Sequence, residues 1–224
     1  MILLTDESIG KGAMNIEDTN SNKSIDRRNQ ILQIALERFA KYGYHQTKIS
    51  DIVAEAGVAQ GTFYWHFKSK EAIALEIIRD GQEQLTAVIS RGYRERVGTI
   101  QDMVQASENL LRNLFKFAED HRYLMELLLT GNGVDESIRS SIHDTRLAME
   151  VSFRRNIERA IELGMLPEGI DPELRAAMLM SLIEGVLSRW LLNKADPNSA
   201  VSNRSAEELA AETARFEFFG LLGI

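Results

Sequence analysis

The sequence has no cysteine among its 224 residues. That excludes disulfides, cysteine-ligated zinc and a thiol nucleophile. Proline is almost as scarce, with only Pro167, Pro172 and Pro197. None interrupts the first 166 residues, which suits long helices, because proline removes a backbone donor and clashes with the preceding turn. No apolar run approaches the roughly 20 residues of a membrane span. The opening MILL is too short for a secretory signal and lacks its basic lead-in. The expectation is a cytoplasmic protein with no membrane partner. No stretch alternates apolar and polar residues as a half-buried strand does, so the expected fold class is all-α. The four histidines, His45, His66, His121 and His143, are scattered and form no H-x-x-x-H pair. No metal and no cofactor are expected. Glu108, Glu126, Glu150 and Glu184 lie in or beside apolar stretches, where a converging pair could do acid–base work. Such residues are far more often solvated or salt-bridged, so catalysis is not expected.

What the chain does have is concentrated between Thr47 and Lys70, TKISDIVAEAGVAQGTFYWHFKSK. Ile49, Ile52, Val53 and Ala56 recur at i, i+3, i+4 and i+7, the apolar face of a short helix. Thr47 is placed to cap its first turn, and Gly57 supplies the backbone freedom of a sharp reversal. In the helix that follows, Ala59, Phe63 and Phe67 share an inward face, while Gln60, Gly61, Tyr64 and Trp65 lie opposite. Large outward aromatics beside Lys48, Lys68 and Lys70 point to an anionic partner. The pattern is a helix-turn-helix, whose second helix enters the major groove of DNA. Gly61 leaves room for close approach, Gln60 can offer an amide to a base edge, and Tyr64, His66 and the lysines can reach phosphates. The candidate DNA-contacting set is Thr47, Lys48, Gln60, Gly61, Thr62, Tyr64, Trp65, His66, Lys68 and Lys70. The plainer alternative is a helical hairpin whose aromatics pack on a neighbour.

The whole run TKISDIVAEAGVAQGTFYWHFKSKEA resembles the DNA-binding signature of the TetR (tetracycline-repressor-like) family. The preceding RRNQILQIALERFAKYGYHQTKI is similar to that family's first helix, leaving through Gly43 and Tyr44. The resemblance covers about Arg27 to Ile78. It implies a helix-turn-helix head on a helical body, a palindromic double-stranded DNA operator, a small-molecule effector of unidentified nature, and a homodimer whose last two helices form a four-helix bundle.

The formal net charge of −7 is unevenly spread. Residues 26–70 hold seven basic against four acidic side chains, net +3, which leaves −10 for the rest. A basic head on an acidic body restricts phosphate contact to one end. Three domains follow: a mobile tail at 1–25, the helix-turn-helix head at 26–70, and a ligand-binding and dimerisation body at 71–224. Helices are expected from about Asp26 to Tyr42, Ser69 to Arg94, Thr99 to Glu119, Tyr123 to Thr130, Asp135 to Leu163, Pro172 to Leu192 and Ala206 to Leu222. The fourth helix runs from head to body and is the natural lever. Gly81 in its middle suggests close helix packing.

Met103, Leu110, Leu114, Phe117, Met125, Leu128, Met149, Phe153 and Ile157 fall on inward faces of several helices and are the candidate ligand pocket. Methionine and aromatic linings suit adaptable apolar sites. An apolar or acyl-chain molecule is the first expectation. A cationic drug is the alternative should Glu108, Glu126 or Glu184 face inward. The last two helices carry more apolar surface than one small body needs, so Ile183, Leu187, Trp190, Leu209, Phe216 and Phe219 are the candidate dimer interface. Completing a monomer core is the alternative for them. The combined expectation is a ligand-responsive DNA-binding repressor, with a constitutive architectural DNA-binding protein as the competing reading.

Overall fold

The computed structural model describes residues 14–131, 134–192 and 199–221. Helices α1 (Met14–Tyr42), α2 (Ile49–Glu55) and α3 (Gln60–His66) form the head. Helix α4 (Lys70–Ser90) leads into a body of α5 (Ile100–Asp120), α6 (Arg122–Thr130), α7 (Glu136–Glu162), α8 (Pro172–Leu192) and α9 (Ala206–Phe216). A π-helical turn, Glu217–Leu221, continues α9. No strand occurs among the described residues. In the body α4 packs on α7, α5 on α9, and α7 on α8.

Local chemistry sets the helix starts. Ser69 Oγ accepts from the Ala72 amide at 3.0 Å and opens α4. At α5 the Thr99 hydroxyl accepts from the Asp102 amide at 3.2 Å while the Asp102 carboxylate accepts from the Thr99 amide at 2.7 Å. Ser205 and Glu208 repeat this reciprocal cap at α9. Each cap is worth about 1 kcal/mol. Gly43 and Gly57, at φ 87° and 63°, turn the chain into and within the helix-turn-helix.

The apolar stripes that periodicity predicts are core. Ile73, Ile77, Ile78, Leu85, Val88 and Ile89 of α4 are buried, as are Ile138, Ile142, Met149, Phe153, Ile157 and Ala160 of α7. A Cβ on Gly81 would come within 2.8 Å of Leu124 on α6, so this glycine marks close helix packing.

Some expectations need correction. α1 begins at Met14, so residues 14–25 belong to a helix and not to a tail. Once a helix is nucleated each added residue gains a hydrogen bond at little cost, and that stretch has no proline or glycine to stop it. Residues 1–13 lie outside the described residues, as do the expected helix end at Leu222, Pro197, and Asn132-Gly133 of the loop after α6. Thr47 does not cap α2. Lys48 holds that position, and its amide donates to the Asp51 carboxylate at 2.9 Å. Ala59 is exposed rather than inward, because it is the extended residue that starts α3.

Candidate DNA-binding face and effector cavity

Helix α3 is anchored by Phe63, fully buried, and by Phe67 just beyond its end. The opposite face is open. Tyr64 is 53% and Trp65 72% exposed, and Gln60 and Gly61 stand clear beside them. A Cβ on Gly61 would meet nothing, so the backbone there can approach a flat partner closely. Thr62 is half-buried, and Lys48 and Lys68 are exposed at the two flanks. The Trp65 ring meets the His66 imidazole edge-on at 4.5 Å. Burial, with the Arg28 charge nearby, holds His66 below the usual histidine range. It therefore offers a neutral hydrogen bond rather than a cation.

Two members of the expected DNA-contacting set are turned inward. The Thr47 hydroxyl is buried and donates to the carbonyls of Gly43 at 2.9 Å and Arg38 at 3.2 Å. Its side chain stitches the exit of α1 and cannot reach a phosphate. The Lys70 ammonium donates to the carbonyls of Tyr44 at 2.8 Å and Thr47 at 3.0 Å and sits 4.1 Å from the Tyr44 ring centre. Burial lowers its pKa, against a smaller pull from Asp135. Lys70 satisfies loop carbonyls that the sharp turn leaves without partners. Arg28, not in the expected set, joins α1 to α4 through a 2.5 Å ion pair with Glu76 and lies over the Phe67 ring at 4.9 Å.

The expected pocket divides. Met103, Leu110, Phe153 and Ile157 do line one cavity, of about 70 Å³, between α5, α7, α8 and the π-helical turn. Met125, Leu128 and Met149 line a separate one of about 20 Å³ between α6, α7 and α8. Leu114 and Phe117 line neither. Leu114 is fully buried core, and Phe117 stacks on His121 at 4.2 Å. Inward facing on a helix wheel does not distinguish a cavity wall from solid core.

The cavity's polar members escaped the sequence reading. Asn156 reaches across to donate to the Ile89 carbonyl at 3.0 Å. Glu217 is buried, and its carboxylate accepts from the Ser107 hydroxyl. Burial pushes its carboxyl up to about 7, against the opposing Ser107 hydrogen bond. The signal was a lone acid inside the apolar run FEFFGLL. Of the four candidate carboxylates three are in ion pairs: Glu108 with Arg112 at 2.5 Å, Glu126 with Arg122 at 2.8 Å and Glu184 with Arg146 at 3.0 Å. Glu184 also lines the smaller cavity, where the Arg146 guanidinium already neutralises it.

On the expected dimer interface, Ile183, Leu187, Trp190 and Leu209 are buried within the single chain. Trp190 donates to the Arg204 carbonyl at 2.9 Å and meets Phe115 edge-on. Ile183, Leu187 and Trp190 are core, because α8 is apolar on more than one side and its periodicity could not say which side stays open, whereas Leu209 of α9 borders a surface groove with Leu182 and Phe216. Phe216 and Phe219 are exposed, at 54% and 61%. With the exposed Leu174 and Met178 and the half-buried Leu182, they leave an apolar face along α8 and the end of α9.

Among the described residues no group of three or more His, Cys, Asp or Glu could hold a metal ion, and no helix is long and apolar enough to cross a membrane.

Residues 31–77 match the family described as bacterial regulatory proteins, tetR family. The chain is 30% identical over 167 residues to the HTH-type transcriptional repressor KstR2 of Mycolicibacterium smegmatis, spanning 74% of this chain and 76% of that protein. It is 24% identical over 180 residues to the fatty acid metabolism regulator protein of Bacillus subtilis, spanning 80% and 91%. Among solved structures, the regulator FadR from Bacillus subtilis in complex with stearoyl-CoA superposes with a TM-score of 0.70 at 22% identity, covering 87% of this chain and 98% of that one. That likeness establishes a shared fold.

Proposed function

Because the chain belongs to the tetR family of bacterial regulatory proteins, we propose that it is a homodimeric repressor released from a palindromic operator by a small apolar or acyl-chain molecule. Gln60, Gly61, Thr62, Tyr64, Trp65 and His66 would form the groove-facing surface, with Lys48 and Lys68 at the phosphates. The observation that carries this reading is the open face of α3. A 72% exposed Trp65 beside a 53% exposed Tyr64, on a helix held by buried Phe63, needs a partner surface.

Dimerisation would use the outer face of α8 and α9, through Leu174, Met178, Leu182, Phe216 and Phe219. Two recognition helices would then stand about 34 Å apart, or a multiple of it, to read successive half-sites. The effector would occupy the cavity walled by Met103, Leu110, Phe153 and Ile157. Its volume of about 70 Å³ is below the ~300–1,000 Å³ of drug-sized sites, so binding would push the walls apart. Arg94 and Gly92, just past α4, line that cavity, and α4 carries Glu76, the Arg28 partner, at its other end. A change at the cavity therefore has a continuous helix through which to shift the head. It does so only if the effector binds the two head arrangements with unequal affinity. The fatty acid regulator relative and the stearoyl-CoA-bound fold neighbour support an acyl-type effector.

The test is to footprint the protein on the DNA upstream of its own coding sequence and add acyl compounds of graded length. Protection of two half-sites that is lost on addition supports the proposal. Binding without half-site symmetry, or unaltered by any addition, favours an architectural DNA-binding protein.

A further inference from the structure

Among the polar groups on the cavity wall, Glu217 stands apart. The others are engaged in holding the fold. Asn156 ties α7 to the end of α4 through the Ile89 carbonyl. Arg94 donates to the Asp102 carbonyl at the start of α5. Glu217 projects from the π-helical turn into a wall whose apolar part includes Met103, Leu110, Phe153, Leu179 and Phe218, and is 7% exposed. Its Oε2 accepts from Ser107 on α5. Among the described residues no other partner of the carboxyl is found. A π turn places this acid inward while its neighbours Phe216 and Phe219 face out.

We propose that Glu217, acting as a neutral carboxylic acid steadied by Ser107, is the recognition group for the carbonyl oxygen of an uncharged apolar effector. This rests on the reading of the cavity as the effector site. With Oε2 taken by Ser107, Oε1 is the oxygen left to carry the proton and donate it to a ligand acceptor. A carboxylate in this place would be a buried charge without a counter-ion, which is costly. The neutral form avoids that cost, and burial holds the group protonated up to about neutral pH. The groups facing it from each packed element agree. Ser107 is the polar group from α5, Asn156 from α7, and Leu179 faces it from α8. Arg94, on the connection after α4, is the cation on the cavity wall, and its guanidinium donates to the Asp102 carbonyl. An apolar molecule with no acceptor would leave the acid's proton unpartnered, whereas a ketone, ester or thioester carbonyl would satisfy it.

The experiment compares three probes of nearly equal shape: acetophenone with a carbonyl, cumene with a methyl group in its place, and 1-phenylethylamine with an ammonium. Calorimetric titration of the full chain at pH 6 and pH 8.5 measures each affinity for wild type, Glu217→Gln and Glu217→Leu, with helix content checked first. Acetophenone should bind wild type roughly five- to tenfold more tightly than cumene at pH 6, the worth of one neutral hydrogen bond. That preference should vanish at pH 8.5, where the acid has lost its proton. Glu217→Gln should keep the preference at both pH values, because an amide N–H donates throughout. Glu217→Leu should lose it at both.

Equal affinity for acetophenone and cumene in wild type overturns the inference while leaving the cavity as the effector site. Tightest binding of 1-phenylethylamine, lost in Glu217→Gln, overturns it in favour of a cation site. Failure of all three probes to bind overturns the cavity reading together with it, and leaves the DNA-binding proposal standing.

Discussion

The guanidinium of Arg28 meets the carboxylate of Glu76 at 2.5 Å while standing over the Phe67 ring, 4.9 Å from its centre. One side chain thus ties the first helix of the head, the exit of the recognition helix and the lever α4. Replacing Arg28 by alanine removes the ion pair and the ring contact together; Glu76→Gln removes only the charge. The pair is partly exposed, so its charge contributes no more than about 1 kcal/mol to stability. The larger effect is expected on coupling. A double-mutant cycle read as operator affinity should show Arg28 and Glu76 to be non-additive. Additive losses would mean that the pair does not transmit the head's position.

Lys70 and Lys68 separate a structural lysine from a phosphate-binding one. Lys70→Ala strands the Tyr44 and Thr47 carbonyls and should cost roughly 1–3 kcal/mol of stability. Lys68→Ala should leave the melting temperature nearly unchanged and reduce the salt dependence of operator binding by about one unit. Thermal melts and binding titrations over a salt series check both. The reverse pattern would return Lys70 to the DNA surface.

The exposed aromatics of α3 predict function lost without stability lost. Trp65→Ala and Tyr64→Phe should change unfolding free energy by no more than about 0.5 kcal/mol, as for other surface sites, and weaken operator binding. Gln60→Ala should relax discrimination at one base pair, by about 1–3 kcal/mol between right and wrong base. Melting curves and selection from randomised half-sites are the measurements. A Trp65→Ala variant that melts early would make that ring core.

Assembly depends on which face of the last helices is open. Phe219→Glu, at an exposed position, should give a folded monomer with weak operator binding. Leu187→Glu, at a position buried in the single chain, should unfold the body instead. Sedimentation and helix content distinguish the two. A wild-type monomer at micromolar concentration would end the proposal for this face.

Glu217 predicts a pH dependence with a definite sign. Its carboxyl is raised from the ordinary 4.5 to about 7 in the fold, so the folded chain keeps its proton longer than the unfolded chain. Stability should therefore fall as pH rises between about 4.5 and 7 and be level on either side of that window. The full loss above pH 7 is roughly 3 kcal/mol. Glu217→Gln should remove this component, which denaturation at pH 5 and pH 8 on both proteins would reveal as a difference in slope.

The helix-turn-helix was legible because local chemistry carries it: Gly43 and Gly57 at positive φ, Phe63 and Phe67 spaced to anchor one face, and Tyr64 and Trp65 left on the other. Caps at Ser69, Thr99 and Ser205 and the three- and four-residue repeats of α4 and α7 likewise act within one turn or one helix, so the residue order alone determined them. Which lysine faces DNA did not follow, since Lys70 is claimed by carbonyls 23 and 26 residues away. Nor did the open side of α8, whose apolar residues surround the helix until α5, α6 and α7 cover Ile183, Leu187 and Trp190. Glu217 meets Ser107 across 110 positions of chain, and only the packing of α9 on α5 turns an acid in an aromatic run into a polar point on a cavity wall. Periodicity reports a direction relative to a helix axis; what stands in that direction is set by the neighbouring helices.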